Sequence, residues 1–170
     1  MNPTYFGDSY DLVKRFFCGE LSALGYTVVV NPMLTGNWNG TEQQFYRLIG
    51  ASPHTPQRER TGRVALLPDP DTGVHQRASK QHISLQQLTL ATSSHALVFS
   101  FDQSFSRQAK PGVAMREKLA TIEAQGCHGM YYDSHARFLF AAANEEPLHE
   151  LRAHLVSLSL PASRLLKSGT

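Results

Sequence analysis

Apolar positions recur along this chain in two periods, and the two periods take turns. In DSYDLVKRFFCGELSALG, Val13, Phe16, Phe17, Leu21 and Leu24 fall at the i, i+3, i+4 spacing of one helical face. Asp8 or Ser9 is placed to cap that helix and Gly25 to end it. YTVVVNPM follows, a β-branched run that Asn-Pro stops. NWNGTEQQFYRLIG predicts a turn and a short helix with Phe45, Leu48 and Ile49 inward, and residues 51–62 predict a Pro-rich surface loop. RVALLP is a second buried strand. Ser84 with Gln87 three positions later is a capping-box pattern that opens another short helix. HALVFSFDQS is a third strand, and PGVAMREKLATIEAQG a helix with Met115, Leu119 and Ile122 on one face. CHGMYYDSHARFLFAAA is either a hairpin turning at 133–136 or one long irregular strand. EPLHELRAHLVSL closes the pattern with Leu148, Leu151 and Leu155 inward, and residues 161–170 are expected to fray.

Short apolar strands alternating with amphipathic helices predict an α/β fold. The expectation is a three-layer, Rossmann-like, mostly parallel sheet with helices on both faces and a C-terminal antiparallel strand pair. A length of 170 residues fits a single domain, taken as 1–160 with a tail over 161–170. Apolar residues at 41% and charged residues at 18% suffice for a core. The net charge of +2 permits an anionic ligand without the clustered basic residues of a nucleic-acid footprint. Cys18 and Cys127 suggest neither a disulfide framework nor a cysteine zinc site. No apolar run approaches the roughly 20 residues of a membrane span, and the polar start MNPTYFGDSYD does not resemble a signal peptide. The expectation is a soluble cytoplasmic protein.

In such sheets ligands bind beyond the carboxyl ends of the strands, so the residues following each strand carry the functional expectation. These are Asn31 after the first, Asp69 and Asp71 after the second, Asp102, Gln103 and Ser104 after the third, and Asp133, Ser134 and His135 after the fourth. Carboxylates at one sheet edge suggest an acidic rim. Each also has a plainer explanation: Asp-Pro-Asp-Thr-Gly as a turn, Asp102 as a cap, His135 as a solvated hairpin tip. Asp8, Asp11 and Lys14 share helical spacing, which makes Asp11 and Lys14 either a surface ion pair or, with Arg15, part of an anion site. Lys80 and His82 precede a helix start, a place suited to phosphate, and Ser104, Ser106 and Arg107 form a similar set. Tyr131, Tyr132, Phe138 and Phe140 belong to the core.

Gly7-Asp8-x-x-Asp11-x-x-Lys14, Asp69-Pro70-Asp71-Thr72-Gly73, SKQHISLQQL and LVFSFDQSFSR together resemble an uncharacterised group of bacterial α/β proteins. That group is distantly similar to the Rossmann-type S-adenosylmethionine methyltransferases acting on ribosomal RNA adenine. The resemblance implies that Asp69 and Pro70 stand at the catalytic strand end, presenting an acceptor and main-chain groups to a target amine. The methyltransferase glycine loop has no counterpart in NPMLTGNWNG, and the acid that holds the ribose has none either.

Three functions fit these residues, and the first is the expectation, because the carboxylate count supports metal ligation more directly than the glycines support adenosylmethionine. In the first, a metal-dependent phosphodiesterase or nuclease, Asp8, Asp69, Asp71 and Asp102 hold Mg²⁺ or Mn²⁺. Lys80 and His82 then stabilise charge or move protons, and Lys14, Ser104 and Arg107 bind substrate. The second is a methyltransferase-like enzyme with adenosylmethionine near NPMLTGNW. The third is a degenerate Rossmann-like module that binds a nucleotide, nucleic acid or protein partner without turnover.

Overall fold

The computed structural model describes residues 1–55, 62–105 and 110–167. A 3-10 turn over Pro3–Tyr5 leads into α1 (Ser9–Ala23), β1 (Thr27–Asn31), α2 (Glu42–Ile49), β2 (Ser52–Pro53) and β3 (Val64–Pro68). Next come β4 (Gly73–His75), β5 (His82–Ser84), α3 (Leu85–Ala91), β6 (Leu97–Phe101) and α4 (Pro111–Ala124). The chain closes with β7 (His128–Tyr132), β8 (Phe138–Ala142), α5 (Glu146–Ser157) and β9 (Leu165–Lys167).

Seven strands form the central sheet in the order β2-β1-β3-β6-β8-β7-β9, and β4 and β5 form a separate parallel pair. β2, β1, β3 and β6 run parallel, which makes the sheet the mostly parallel, Rossmann-like one that the periodicity predicts. The C-terminal strands form the expected antiparallel pair, as a β7–β8 hairpin. Its second strand inserts between β6 and β7, so β7 again points the same way as β6. The expected fray is partly a strand: β9 pairs antiparallel with β7 along Leu165, Leu166 and Lys167. Ser52 and Pro53, placed in a surface loop by their composition, pair with Val29 and Val30.

Because strand side chains alternate, the sheet has two fully covered faces. Ala65, Leu67, Leu97, Phe99 and Phe101 face α1, α2 and α5, where Phe17, Phe45 and Leu151 pack. Val64, Leu66 and Val98 face α3 and α4, where Leu88, Met115 and Ile122 pack. The helices begin where their caps dictate. Asp8 accepts from the amides of Tyr10 and Asp11 at 2.9 and 3.1 Å, and Ser84 forms the capping box with Gln87. Phe16, expected inward, lies on the outer side of α1, and the inward positions are Asp11, Lys14, Phe17, Cys18 and Leu21. Among the described residues, no helix is long and apolar enough to cross a membrane.

Candidate functional site: an acceptor-lined crevice at the strand ends

The chain places β2 on one side of β1 and β3 on the other, so the winding direction reverses between β1 and β3. In such sheets this point, beyond the carboxyl ends of the strands, is where ligands bind. Pro32 and Met33 follow β1 there, and Asp69, Pro70 and Asp71 follow β3.

The start of α1 forms one wall. Lys14 lies one turn before Phe17 and Cys18 on the inward stripe, so its ammonium is carried under the sheet edge. There it donates to Asp11 at 2.8 Å and to Asp69 at 2.9 Å. The expected surface pair of Asp11 and Lys14 does form, but buried: Asp11 and Asp69 are fully buried and Lys14 is 3% exposed. Burial alone would lower the Lys14 pKa, and the two carboxylates raise it above the ordinary lysine value. Asp69 is raised by burial against the pull of Lys14, because one ammonium serves two acids. Asp11 also accepts from the Gly7 amide at 2.8 Å, which fixes the turn into the helix.

Four oxygens then converge on a single nitrogen, the ammonium of Met1. Asp71 Oδ1 lies 2.8 Å away, the Pro32 and Met33 carbonyls 2.9 Å each, and the Asp69 carbonyl 3.4 Å. Thr35 steadies Asp71 by donating to its Oδ2 at 2.6 Å. Asp69 Oδ1 is buried beside them and accepts no hydrogen bond from any described residue.

Asp102 belongs to a different site. In β6 it continues the Val98 side of the alternation, whereas Asp69 continues the Leu67 side of β3, so the two point to opposite faces of the sheet. Asp102 Oδ2 accepts from the Tyr131 hydroxyl and from Lys118, each at 2.6 Å. Its Oδ1 accepts from the amides of Val74 and Ser104 at 3.1 Å. Lys118 also donates to the Val74 carbonyl at 2.6 Å and to Ser104 Oγ at 2.5 Å. Burial lowers the Lys118 pKa while Asp102 opposes the shift. Its three protons meet three acceptors, the geometry of an ammonium and not of a base for Ser104. Burial holds Tyr131 far above the ordinary phenol value, so it donates as the neutral phenol.

The four aspartates expected to hold Mg²⁺ or Mn²⁺ are therefore distributed. Asp8 caps α1, Asp69 pairs with Lys14, Asp71 pairs with Met1, and Asp102 lies across the sheet with Lys118. Among the described residues, no group of three or more His, Cys, Asp or Glu side chains could hold a metal ion. Lys80 is exposed on the turn between β4 and β5, and His82 stacks near His75 with its Nδ1 2.9 Å from Ser79 Oγ. Arg107 and Ser106 lie outside the described residues. Asp133 pairs with Arg137 at 3.2 Å, and His135 meets the Tyr10 hydroxyl at 3.0 Å.

Lys118, Tyr131, Thr35 and Met1 were not among the expected site residues. Lys118 left a signal: it stands three residues after Met115 and four before Ile122, inside the apolar stripe. A lysine there requires a buried acid to meet it.

The motif resemblance implies adenosylmethionine near residues 31–38. Gly36, in the segment where the cofactor's glycine loop belongs, packs on the amino-terminal turn: a Cβ there would lie 3.2 Å from Pro3 Cδ. β2 ends at Pro53 and is followed by His54 and Thr55, so no described acid there receives a ribose. Comparison with protein-family models, with characterised proteins and with solved structures finds no match to this chain.

Proposed function

We propose that this chain is a degenerate Rossmann-like module that binds a ligand through an amino group, with a nucleotide bearing an exocyclic amine as the ligand class. One observation carries the reading: the Pro32, Met33 and Asp69 carbonyls accept from one amino nitrogen at the switch point, and Asp71 Oδ1 stands 2.8 Å from it as its counter-charge. The Met1 ammonium stands in for the ligand's amine. The Asp-Pro strand end is the part of the methyltransferase resemblance that concerns the amine, which favours a nucleobase over other amines. The sequence lacks the methyltransferase glycine loop and a counterpart of the ribose-holding acid, which favours binding over methyl transfer.

The same all-oxygen set supports a second reading, because hard divalent cations take carboxylate and carbonyl ligands. One Mg²⁺ or Mn²⁺ would then occupy the cage in place of the ammonium, as a phosphodiester-cleaving enzyme would need. The opposite facing of Asp102 weighs against a two-ion version.

Thermal melts test both. A variant with Gly-Ser ahead of Met1 moves the ammonium out of the cage. Adenosine and cytidine are expected to raise its melting temperature, and inosine and uridine, which present oxygen where the amine was, are not. Asp71→Asn should abolish the rise. Equal responses to adenosine and inosine would overturn the amine reading. A rise with Mn²⁺ that EDTA reverses would favour the cation, and a rise with adenosylmethionine would restore the methyltransferase.

A further inference from the structure

The β4–β5 pair lies apart from the crevice and holds chemistry that the proposed function leaves unused. Its register sets Gly73 opposite His82 and Val74 opposite Ile83. Val74 and Ile83 turn into the core beneath α3 and α4. By alternation His75 and His82 then share the other face of this small sheet. Their ring centroids are 4.2 Å apart with planes inclined by 38°. Gly73, opposite His82 on that face, adds no side chain.

The nitrogens are disposed as ligands are. His75 Nε2 is buried and has no hydrogen-bond partner among the described residues. Ser79 Oγ, which accepts from Gln81 N, lies 2.9 Å from His82 Nδ1 and orients that ring; in the tautomer whose Nδ1–H donates to it, Nε2 carries the lone pair. A hydrogen bond at one ring nitrogen that fixes the other for coordination is the usual arrangement of a metal-binding histidine. The Ser79 amide-side turn is itself tied down, since Ser79 N donates to the His82 carbonyl at 2.9 Å and Gln81 N to Ser79 Oγ at 3.0 Å.

We propose that His75 and His82 form a binding site for a divalent transition-metal ion of the zinc, nickel or copper class. Two imidazoles hold the ion and water completes its shell. Neutral imidazole is the ligand such ions prefer, whereas Mg²⁺ and Mn²⁺ prefer oxygen. The nearby Lys118 charge is offset by its ion pair with Asp102 at 2.6 Å. Among the described residues no third His, Cys, Asp or Glu side chain completes a ligand set with them, so the affinity belongs to a two-point site and falls below that of a structural zinc centre.

The test is a melting series with Zn²⁺ and Ni²⁺, and with Mg²⁺ as the control. At ten times its dissociation constant, a bound ion raises the melting temperature by about 4 °C for a chain of this size. The rise should appear with Zn²⁺ and Ni²⁺, vanish in His75→Gln and in His82→Gln, and persist in His95→Gln, which alters the other close histidine pair. No rise with either ion at millimolar concentration, or a rise retained in both site variants, overturns the proposal. So does a rise lost in His95→Gln instead. Should a site variant lose its fold by circular dichroism, paramagnetic broadening by Cu²⁺ in the wild-type protein decides. The ring protons of His75 and His82 should broaden first, and earlier broadening at another histidine rejects the site.

Discussion

Lys14 is the residue on which the crevice wall depends. Its ammonium is the hydrogen-bonding counter-charge of two fully buried carboxylates. Lys14→Ala leaves both acids uncompensated, and the loss of one partner of a buried pair costs about 3–5 kcal/mol. Urea unfolding should show that drop, and a loss below about 1 kcal/mol would mean that water reaches Asp69. Gly73 is constrained as tightly by shape. It adopts φ +104, and a Cβ would stand 2.6 Å from Asp102 Oδ1 and 2.7 Å from Asp102 Cα. Gly73→Ala should therefore cost clearly more than Gly126→Ala, where φ is +76 but nothing lies within 4 Å. His75 gives the acid response its sign. Its pKa is lowered in the folded chain, so the unfolded chain binds more protons between that value and about 6.5. Stability falls as pH drops through this window, and His75→Gln should flatten the slope there. These residues also mark the limit of sequence reading. Asp69 and Asp102 were legible as strand-end carboxylates. Their opposite facing was not, because VALLP and LVFSF are buried along their whole length, and Ser100 alone is too little alternation to orient them.

At the scale of elements, the long periodic segments declared themselves and the short ones did not. α1, α4 and α5 each carry three or more turns of apolar spacing, and Ser84 with Gln87 announced α3 by its cap. β2, β4 and β5 are two or three residues long, too short to express a period of two. Nor does any local pattern say that β8 inserts between β6 and β7, since pairing partners distant in sequence are chosen by the whole sheet. β9 was hidden for the same reason: LLK follows a proline-led turn and resembles a tail. Its pairing makes a prediction. Without β9, the outer edge of β7 loses its ladder, including the Asp133 amide that donates to the Arg164 carbonyl at 2.7 Å. Truncation after Leu160 should raise amide exchange at Met130 through Asp133 while leaving β1 and β3 protected. Uniform loss of protection would instead make β9 part of the global folding unit.

Across the whole molecule, two lysine–aspartate pairs on opposite faces of the sheet hold the two ends of one loop. Lys14 from α1 fixes Asp69, where β3 ends. Lys118 from α4, with Asp102, fixes both the amide and the carbonyl of Val74, just past the start of β4. Residues 70–72 are suspended between these anchors, and Asp71 is the carboxylate that the Met1 ammonium meets. A loop held at both ends behaves as one object. Releasing either end lets the strand end fray, and the second anchor then has less left to hold. The anchors should therefore couple although they stand on different faces. Lys14→Met and Lys118→Met replace each ammonium with an apolar chain of similar length. Each should destabilise alone, and the double variant should lose less than the sum, by about 0.5–3 kcal/mol, the range of coupling between residues that share a structural element. A urea double-mutant cycle measures it. Strict additivity would mean that the two pairs brace separate layers and that the loop is held by its own turn. Sub-additivity would make the loop the joint product of both helical layers, and would explain why two buried lysines stand where the apolar stripes of α1 and α4 call for leucine.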